Sequence, residues 1–267
     1  MSSTTRKPKA LILRAPGINC ERETFHAFEL AGAAPEYVHV KRLRAQPQLV
    51  DGFDLFVAPG GFAYGDDIAS GRVLANELRA AVGERLIALV ERGGLVLGIC
   101  NGFQMLTRLG ILPRTNRGEL VQEVALTHNL SDHYECRWVT LKSPRNRCVF
   151  LDEGLTLRVP AAHGEGRLQA KDEQLARILD EEGYTAFVYV DESGERTERY
   201  PANPNGSPRA IAGLTDATGR VLGLMPHPDR AYLPHHDPLW REEGLAAKPD
   251  GMVIFDAMVR TARAEAR

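Results

Sequence analysis

The chain has 267 residues, of which 43% are hydrophobic and 25% charged, so it can bury a substantial core. Its 33 lysines and arginines nearly balance its 35 aspartates and glutamates, and the basic residues form no stripe suited to a nucleic acid or a membrane surface. No apolar run is long enough to span a membrane, and the start of the sequence lacks the apolar segment of a signal peptide. We expect a cytoplasmic protein that binds small molecules, with a flexible tail over residues 1–8 and one domain over residues 9–267.

The first half of the sequence alternates between short apolar runs and helical patterns. Strands are predicted for KALILRA, EYVHV, DLFVAPGG and LVLGI, and helices for CERETFHAFELAGA, for a stretch over about residues 71–91, and for NGFQMLTRLGIL. Such alternation is typical of βαβ units. It predicts a parallel sheet flanked by helices.

After Pro113 the pattern changes, because apolar runs follow one another with few long helical patterns between them. Mixed or antiparallel strands are predicted for VALTH, CRWVTLK, TLRVPAA, TAFVYVD, AIAGLTD and VLGLMPH, a loop for RYPANPNGSPRA, and a closing helix for GMVIFDAMVRTARAEA. The predicted fold class is therefore α/β, with a mostly parallel central sheet flanked by helices. An additional mixed or antiparallel strand region occupies the C-terminal half.

A glycine-rich turn, VAPGGFAYGDD, follows the third predicted strand. Small residues leave backbone N–H groups open, so Gly61 and Phe62 are candidates to donate hydrogen bonds to a developing oxyanion. The alternative is a tight turn with no catalytic role. The sequence contains neither the phosphate loop GxxxxGK[ST] nor the dinucleotide fingerprint GxGxxG.

The segment GICNG lies between a predicted strand and a predicted helix, with Cys100 at its centre. It is the thiol version of the nucleophile elbow, in which small neighbours let a strand turn sharply into a helix. The positive end of that helix should lower the pKa of the thiol, and the N–H of Asn101 is a further oxyanion donor. The alternative is a buried structural cysteine.

The best base for such a nucleophile is His227, in VLGLMPHPDR, because it follows an apolar run and precedes the carboxylate Asp229 by two residues. A capping or surface role for this histidine is the alternative. His235 and His236 could be metal ligands together with Asp237, but the evidence is weak because no further ligand has an obvious spacing. The four cysteines are also widely separated, and we expect no metal and no disulfide.

Six ordered motifs together resemble one family. They are RAPGINCERET, APGGFAYGDD, LGICNGFQML, AHGEGR, NPNGS and MPHPDRA. The chain resembles the class I glutamine amidotransferases, which have a flavodoxin-like fold. Within them it is similar to the glutaminase subunits of phosphoribosylformylglycinamidine synthase, an enzyme of purine biosynthesis.

The resemblance implies that L-glutamine is hydrolysed to glutamate and ammonia through a thioester on Cys100, with His227 and Asp229 completing the triad. It implies an oxyanion hole made by Gly61, Phe62 and Asn101, and substrate contacts from four residues, namely Gln104, Asn129, Ser131 and Tyr134. The family usually has glutamate where this chain has Asp229, so the shorter side chain needs either a backbone shift or a bridging water to reach the histidine.

The resemblance also implies a partner, and it places residues 163–167 and Asn205 near the mouth of the site or near that partner. The ammonia would pass to a synthetase subunit that binds ATP and magnesium, with a small accessory subunit in the complex, and this chain itself would need no cofactor. Because ammonia released without an acceptor is wasted, we expect the partner to activate the chain through a flip of the Gly60–Gly61 peptide. The alternatives are another class I amidotransferase, a cysteine hydrolase or chaperone-like protein of related fold, and a non-catalytic binding module.

Overall fold

The structure is a computed structural model that describes residues 6–66, 71–116, 118, 120–245 and 248–265. The strands are β1 (Lys9–Arg14), β2 (Ala34–His39), β3 (Leu55–Ala58), β4 (Leu95–Ile99), β5 (Val124–Thr127), β6 (Glu135–Lys142), β7 (Thr156–His163), β8 (Arg167–Ala170), β9 (Thr185–Val190), β10 (Ile211–Thr215) and β11 (Val221–Leu224). The α-helices are α1 (Glu21–Leu30), α2 (Val40–Ala45), α3 (Arg72–Glu91), α4 (Asn101–Leu109), α5 (Glu173–Glu181), α6 (Trp240–Glu243) and α7 (Asp250–Glu265).

Nine of these strands form the central sheet in the order β2-β1-β3-β4-β11-β10-β9-β6-β7. The first five in that order run parallel, whereas each pairing from β11 to β7 is antiparallel. Strands β5 and β8 pair separately as an antiparallel ribbon. The predicted α/β class and the antiparallel region of the C-terminal half are confirmed, and that region extends the parallel sheet rather than standing apart from it.

The inner parallel strands β3, β4 and β11 are apolar along their whole length, as expected of strands covered by helices on both faces of a sheet. All residues of β3 and β4 are buried. On one side α1 and α7 meet through an edge-to-face contact of Phe28 and Phe255, whose ring centroids are 5.0 Å apart. This contact packs the two helices against each other on that face of the sheet.

Three predicted motif segments leave neighbouring parallel strands at the same edge of the sheet. In the β3–β4 pair Ala58 lies opposite Gly98, and in the β4–β11 pair Leu224 lies opposite Ile99. The PGG turn, the cysteine elbow and the MPHPDR segment therefore begin side by side. Carboxyl ends of parallel strands are where α/β proteins usually bind ligands.

Four of these strands and helices were not predicted from the sequence, namely β8, α2, α5 and α6. Helix α2 has only six residues, too few to show a helical period. In α5 only Leu175 and Leu179 are buried, and the helix is stabilised at its start by Asp172, which accepts a hydrogen bond from the Leu175 N–H at 2.7 Å. Of the expected flexible tail, residues 1–5 lie outside the described residues. No helix in the described ranges is both long and apolar enough to cross a bilayer.

Candidate active site

Cys100 occupies the strained turn between β4 and α4. Its backbone has φ 51° and ψ −107°, a conformation that costs a residue with a side chain about 1–3 kcal/mol. The turn is held by a 2.8 Å hydrogen bond from the Cys100 N–H to the Leu224 carbonyl. It also requires Gly102, because a Cβ atom there would lie 1.9 Å from the Ala58 carbonyl oxygen. The predicted elbow geometry is present.

His227 and Asp229 form a buried pair beside this elbow. His227 Nδ1 lies 3.0 Å from Asp229 Oδ1, and the side chains are 1% and 0% exposed. The His227 N–H donates to the Pro160 carbonyl at 2.7 Å, which fixes the backbone of the histidine against β7. Within the described residues, His227 Nε2 is buried and has no hydrogen-bond partner. That nitrogen is the atom a base needs to keep free.

Gly60 lies between the nucleophile Cys100 and the base His227. A Cβ atom on Gly60 would lie 2.6 Å from His227 Cε1 and 3.5 Å from Cys100 Cβ. The thiol and the imidazole therefore flank the same glycine, and a side chain at this position would displace the imidazole. The contact explains why the second predicted turn has a glycine here.

The shorter carboxylate reaches the histidine directly. The 3.0 Å contact of Asp229 Oδ1 requires no bridging water, and Asp229 Oδ2 accepts a longer, 3.4 Å hydrogen bond from Thr24 Oγ1. Because the carboxylate bonds to Nδ1, the proton of neutral His227 is held on Nδ1 and the lone pair stays on Nε2.

The expected lowering of the thiol pKa was wrong in its net direction. Burial raises the pKa of Cys100 to about 12, with Cys20 and Asp229 adding to the effect. The N–H of Asn101 does lower the pKa, as predicted, but desolvation of the thiolate outweighs it. The resting nucleophile is thus a neutral thiol, which must lose its proton as it attacks.

The PGG turn offers one oxyanion donor rather than two. The Gly60 carbonyl accepts hydrogen bonds from the N–H groups of Asn19 and Cys20 at 3.3 and 3.2 Å. A trans peptide points its N–H away from its C=O, so the Gly61 N–H is turned away from these donors, and it has no acceptor among the described residues. The predicted role of Phe62 as an N–H donor is wrong in this conformation, because its N–H donates to the Gly17 carbonyl at 2.8 Å.

Asn101 and Gln104 link the elbow to its surroundings. The Asn101 side chain accepts from the Ala63 N–H at 3.1 Å and donates to Gln104 Oε1 at 2.9 Å, while Gln104 Nε2 donates to the Glu165 carbonyl at 2.6 Å. Both ends of the buried Gln104 amide are therefore used inside the protein. The geometry does not support the predicted role of Gln104 in holding substrate, and it leaves the Asn101 backbone N–H beside the sulfur, as expected.

The predicted substrate residues of the segment 128–134 divide into two groups. Asn129 is buried and donates to the His133 and His163 carbonyls at 2.9 and 2.8 Å, so its amide anchors the segment. Ser131 donates to Glu135 Oε1 at 2.7 Å. Neither side chain is presented to a ligand in this arrangement.

Tyr134 is different, because its side chain is 51% exposed and burial together with the nearby Cys100 raises the pKa of its phenol. Its ring centroid lies 6.3 Å from that of the exposed Phe62. Both rings are exposed, and Phe62 directly follows the Gly61 donor in the chain. Tyr134 is the predicted substrate residue that the structure places near the thiol.

Sequence reasoning missed Cys20 and Arg230, whereas it placed His163 near the mouth of the site or the partner. Cys20 and Arg230 lie behind the His227–Asp229 pair, and His163 follows Ala162, whose carbonyl oxygen is 3.8 Å from Cys100 Sγ. The motif RAPGINCERET contains Cys20, but only the fold shows that Cys20 lies close to His227 and Asp229. Cys20, His227 and Asp229 also have a spacing that could hold a metal ion, although the Arg230 guanidinium beside Cys20 opposes a cation there.

The elbow, the oriented imidazole and the Gly61 donor define a thiol-dependent enzyme of the α/β class. A match to the model of the CobB/CobQ-like glutamine amidotransferase domain covers residues 7–260, and the chain belongs to that family.

Several relatives are similar along nearly their whole length. The chain is 45% identical to phosphoribosylformylglycinamidine synthase subunit PurQ of Dehalococcoides mccartyi, over 96% of this chain and 98% of that protein. It is 42% identical to the protein of the same name from Methanococcus maripaludis, over 92% and 91% of the two chains. A chain in the solved structure of PurLQS from Thermotoga maritima is 30% identical, with a TM-score of 0.70 and coverage of 96% and 99%.

Proposed function

We propose that this chain is the glutaminase subunit of phosphoribosylformylglycinamidine synthase, acting in purine biosynthesis. The observation that carries the proposal is the site itself: Cys100 and His227 flank one glycine, and Asp229 orients the imidazole at 3.0 Å. The relatives named for this synthase supply the choice of pathway. The proposed location is the cytoplasm.

The reaction begins with attack of Cys100 Sγ on the side-chain amide carbon of glutamine. Because the thiol is neutral, His227 Nε2 takes its proton during the attack, and the Asp229 carboxylate stabilises the imidazolium that forms. The N–H groups of Gly61 and Asn101 are the donors for the tetrahedral oxyanion. The shared site thus supplies base, orienting carboxylate and oxyanion donors from three neighbouring strand ends.

Collapse of the tetrahedral intermediate breaks the C–N bond, and the imidazolium returns the proton to the leaving ammonia. Water then attacks the thioester with His227 as base, a second oxyanion forms at the same N–H groups, and glutamate leaves as the thiol is restored. No step of this hydrolysis needs a group beyond the chain and water.

The ammonia is consumed elsewhere. A synthetase subunit that binds ATP and magnesium would convert formylglycinamide ribonucleotide to its amidine, and a small accessory subunit would complete the assembly. This division of labour agrees with the absence of a phosphate loop in the sequence. The exposed rings of Phe62 and Tyr134 are the candidates to contact substrate or partner.

The test uses a diazo or chloroketone analogue of glutamine with the full chain. We expect one equivalent of label on Cys100, protection by glutamine, and glutamate formation that a coupled assay detects. The complex with the synthetase should then produce the amidine from glutamine. Labelling of another cysteine, or no protection by glutamine, would contradict the proposal and favour a cysteine hydrolase of another specificity.

A further inference from the structure

Residues 16–20, between β1 and α1, pack against the PGG turn and take no part in the mechanism above. This segment and residues 60–64 both lie within the described ranges, and four main-chain hydrogen bonds of 2.8–3.3 Å join them. The donor and acceptor residues of these bonds are, in that order, Asn19 and Gly60, Cys20 and Gly60, Phe62 and Gly17, and Tyr64 and Pro16. Ile18 also pairs with Gly61 as an antiparallel bridge. The turn is therefore bonded to one short segment on both sides of its Gly61 donor.

The two segments approach so closely that side chains are excluded between them. A Cβ atom on Gly17, whose φ is +87°, would lie 1.9 Å from the Phe62 carbonyl oxygen. A Cβ atom on Gly61 would lie 2.6 Å from both the Gly17 carbonyl oxygen and Ile18 Cα. Each of these contacts is with main-chain atoms, so no side-chain rotation can relieve it. A side chain at Gly17 must push the turn away from residues 16–20.

The same stretch of chain is attached to the catalytic pair. The Cys20 Sγ accepts a hydrogen bond at 3.1 Å from Nη2 of Arg230, the residue next to Asp229. The buried Thr24 hydroxyl lies 2.7 Å from the Cys20 carbonyl oxygen and 3.4 Å from Asp229 Oδ2. Residues 16–24 therefore contact both the turn that offers the oxyanion donor and the carboxylate that orients the base.

An oxyanion donor depends strongly on its position. It acts when it lies about 2.7–3.1 Å from the oxygen on which charge develops, and a misplacement of about 1 Å in an active site can cost roughly 100-fold in rate. Gly60 and Gly61 have no side chains that could pack and fix the turn, and a peptide between glycines can flip at little steric cost. The position of the Gly61 N–H therefore depends on the main-chain partners of the turn.

We propose that residues 16–20 are a positioning segment that holds the Gly61 N–H in place for the oxyanion, and that Gly17 is the residue whose missing side chain permits the contact. The proposal rests on the proposed function of the same site. It explains why a segment without a reacting group is bonded to both sides of the Gly61 donor. It also explains why a glycine with a φ of +87° faces the Phe62 carbonyl.

The test compares Gly17→Ala with Gly154→Ala in the full chain. Gly154 is the matched control because its φ is +83°, and among the described residues no atom lies within 4 Å of the position of its Cβ. Both variants place alanine in a left-handed conformation, but only Gly17→Ala pushes on the turn. The first measurement is amide hydrogen exchange of peptides that contain residues 60–64. The N–H groups of Phe62 and Tyr64 should exchange about tenfold faster in Gly17→Ala and at the parent rate in Gly154→Ala.

The second measurement separates the oxyanion donor from the nucleophile. For glutamine hydrolysis by Gly17→Ala we expect kcat to fall by about 10- to 100-fold with little change in KM, because the Gly61 N–H acts on the transition state. Alkylation of Cys100 by iodoacetamide forms a C–S bond and releases iodide without an oxyanion. Its rate, verified at Cys100 by peptide mass mapping, should therefore stay near that of the parent.

Three results would overturn the proposal: unchanged exchange in Gly17→Ala, faster exchange with unchanged kcat, or an equal fall in kcat and in alkylation. The same losses in Gly154→Ala would also overturn it, since backbone strain would then explain them.

Thermal melts show whether Gly17→Ala folds, and Ile18→Ala decides the question if it does not. Ile18 is 9% exposed and pairs with Gly61, so its truncation loosens the segment without adding a contact. Exchange should rise and kcat should fall in the same direction but by less, Ile18→Val should restore most of the rate, and no change in Ile18→Ala would contradict the proposal. Because exchange needs no substrate, a parent chain that fails to hydrolyse glutamine would contradict the proposed function, while exchange still shows whether residues 16–20 hold the turn.

Discussion

The parallel and antiparallel halves of the sheet contribute to the site in different ways. The parallel half supplies the reacting groups, because β3, β4 and β11 end side by side at Gly60, Cys100 and the His227 segment. The antiparallel half covers them with β7, whose Pro160 and Ala162 carbonyls face His227 and Cys100. Chemistry is therefore concentrated at one edge, and support comes from the other region.

Polar side chains in the antiparallel half are mostly consumed by internal hydrogen bonds. Asn129 accepts from the Gly166 N–H at 3.0 Å and contacts His163 Nδ1 at 3.1 Å, while Asn205 donates to Tyr189 Oη at 3.0 Å. A motif rich in asparagine and histidine can thus be structural even next to an active site. The predictions below test this division, starting with the parallel half.

Replacing the nucleophile should have the largest effect. Cys100→Ala should abolish glutamine-dependent amidine formation, because no other group can form the thioester, whereas the assembled synthase should still use added ammonium salts. The measurement is steady-state turnover with each nitrogen source. An equal loss of turnover with both nitrogen sources would mean that Cys100 supports folding or assembly. The parallel half of the sheet would then not supply the nucleophile.

Removing the charge of Asp229 should have the next largest effect. Asp229→Asn removes the carboxylate that fixes the tautomer of His227, and we expect turnover to fall by about 10²- to 10⁴-fold. Asp229→Glu restores the family's usual residue and should keep far more activity, but its extra methylene beside Thr24 should cost about 1–3 kcal/mol of stability. Turnover and thermal melts of both variants are compared, and wild-type turnover in both would reduce Asp229 to a structural carboxylate.

The two halves were also unequally predictable from the sequence. Cys100, His227 and Asp229 could be found because each follows an apolar strand and belongs to a recognisable spacing, and parallel topology then brings strand ends together. Other residues were misassigned because their availability to a ligand depends on hydrogen bonds to residues distant in sequence. The Phe62 N–H bonds to Gly17, Gln104 to Glu165 and Asn129 to His163, and the sequence does not show these pairings. Cys20 was likewise invisible, because it lies 209 positions from Asp229 in sequence.

Activation by the partner tests whether the PGG turn of the parallel half already presents its oxyanion donor in the isolated chain. Two hydrogen bonds to the Gly60 carbonyl, each worth about 0.5–1.5 kcal/mol, oppose the flip of the Gly60–Gly61 peptide. We therefore expect measurable glutaminase turnover of the chain alone, raised by about 5- to 20-fold with synthetase, ATP and formylglycinamide ribonucleotide, at the low end of allosteric couplings. Full activity that no addition changes would show that the peptide is not a gate.

Substitution of Gln104 tests the hydrogen bonds that link the cysteine elbow to the antiparallel half of the sheet. Gln104→Met breaks the chain of hydrogen bonds from Ala63 through Asn101 to Glu165, and we expect kcat to fall about fivefold, equivalent to about 1 kcal/mol, with little change in KM. The measurement is the kinetic profile for glutamine. A large rise in KM at unchanged kcat would restore Gln104 to the substrate-binding role predicted from the sequence.

The smallest effect concerns stability in the antiparallel half. Burial, with His227 nearby, lowers the pKa of His163 from 6.5 to about 4. As pH falls below about 6.5 the unfolded chain takes up a proton that the folded chain refuses until pH 4, so the contribution of His163 weakens steadily across that window. Between neutral pH and pH 5.5 the loss is about 1 kcal/mol in the free energy of unfolding.

The measurement is urea denaturation of the parent and of His163→Gln at several pH values. The pH dependence of the free energy of unfolding should be smaller in His163→Gln by about that amount, whereas the control variant His128→Gln, at an exposed histidine, should keep the dependence of the parent. An unchanged pH dependence in His163→Gln would mean that burial does not lower the pKa of His163 in the folded chain.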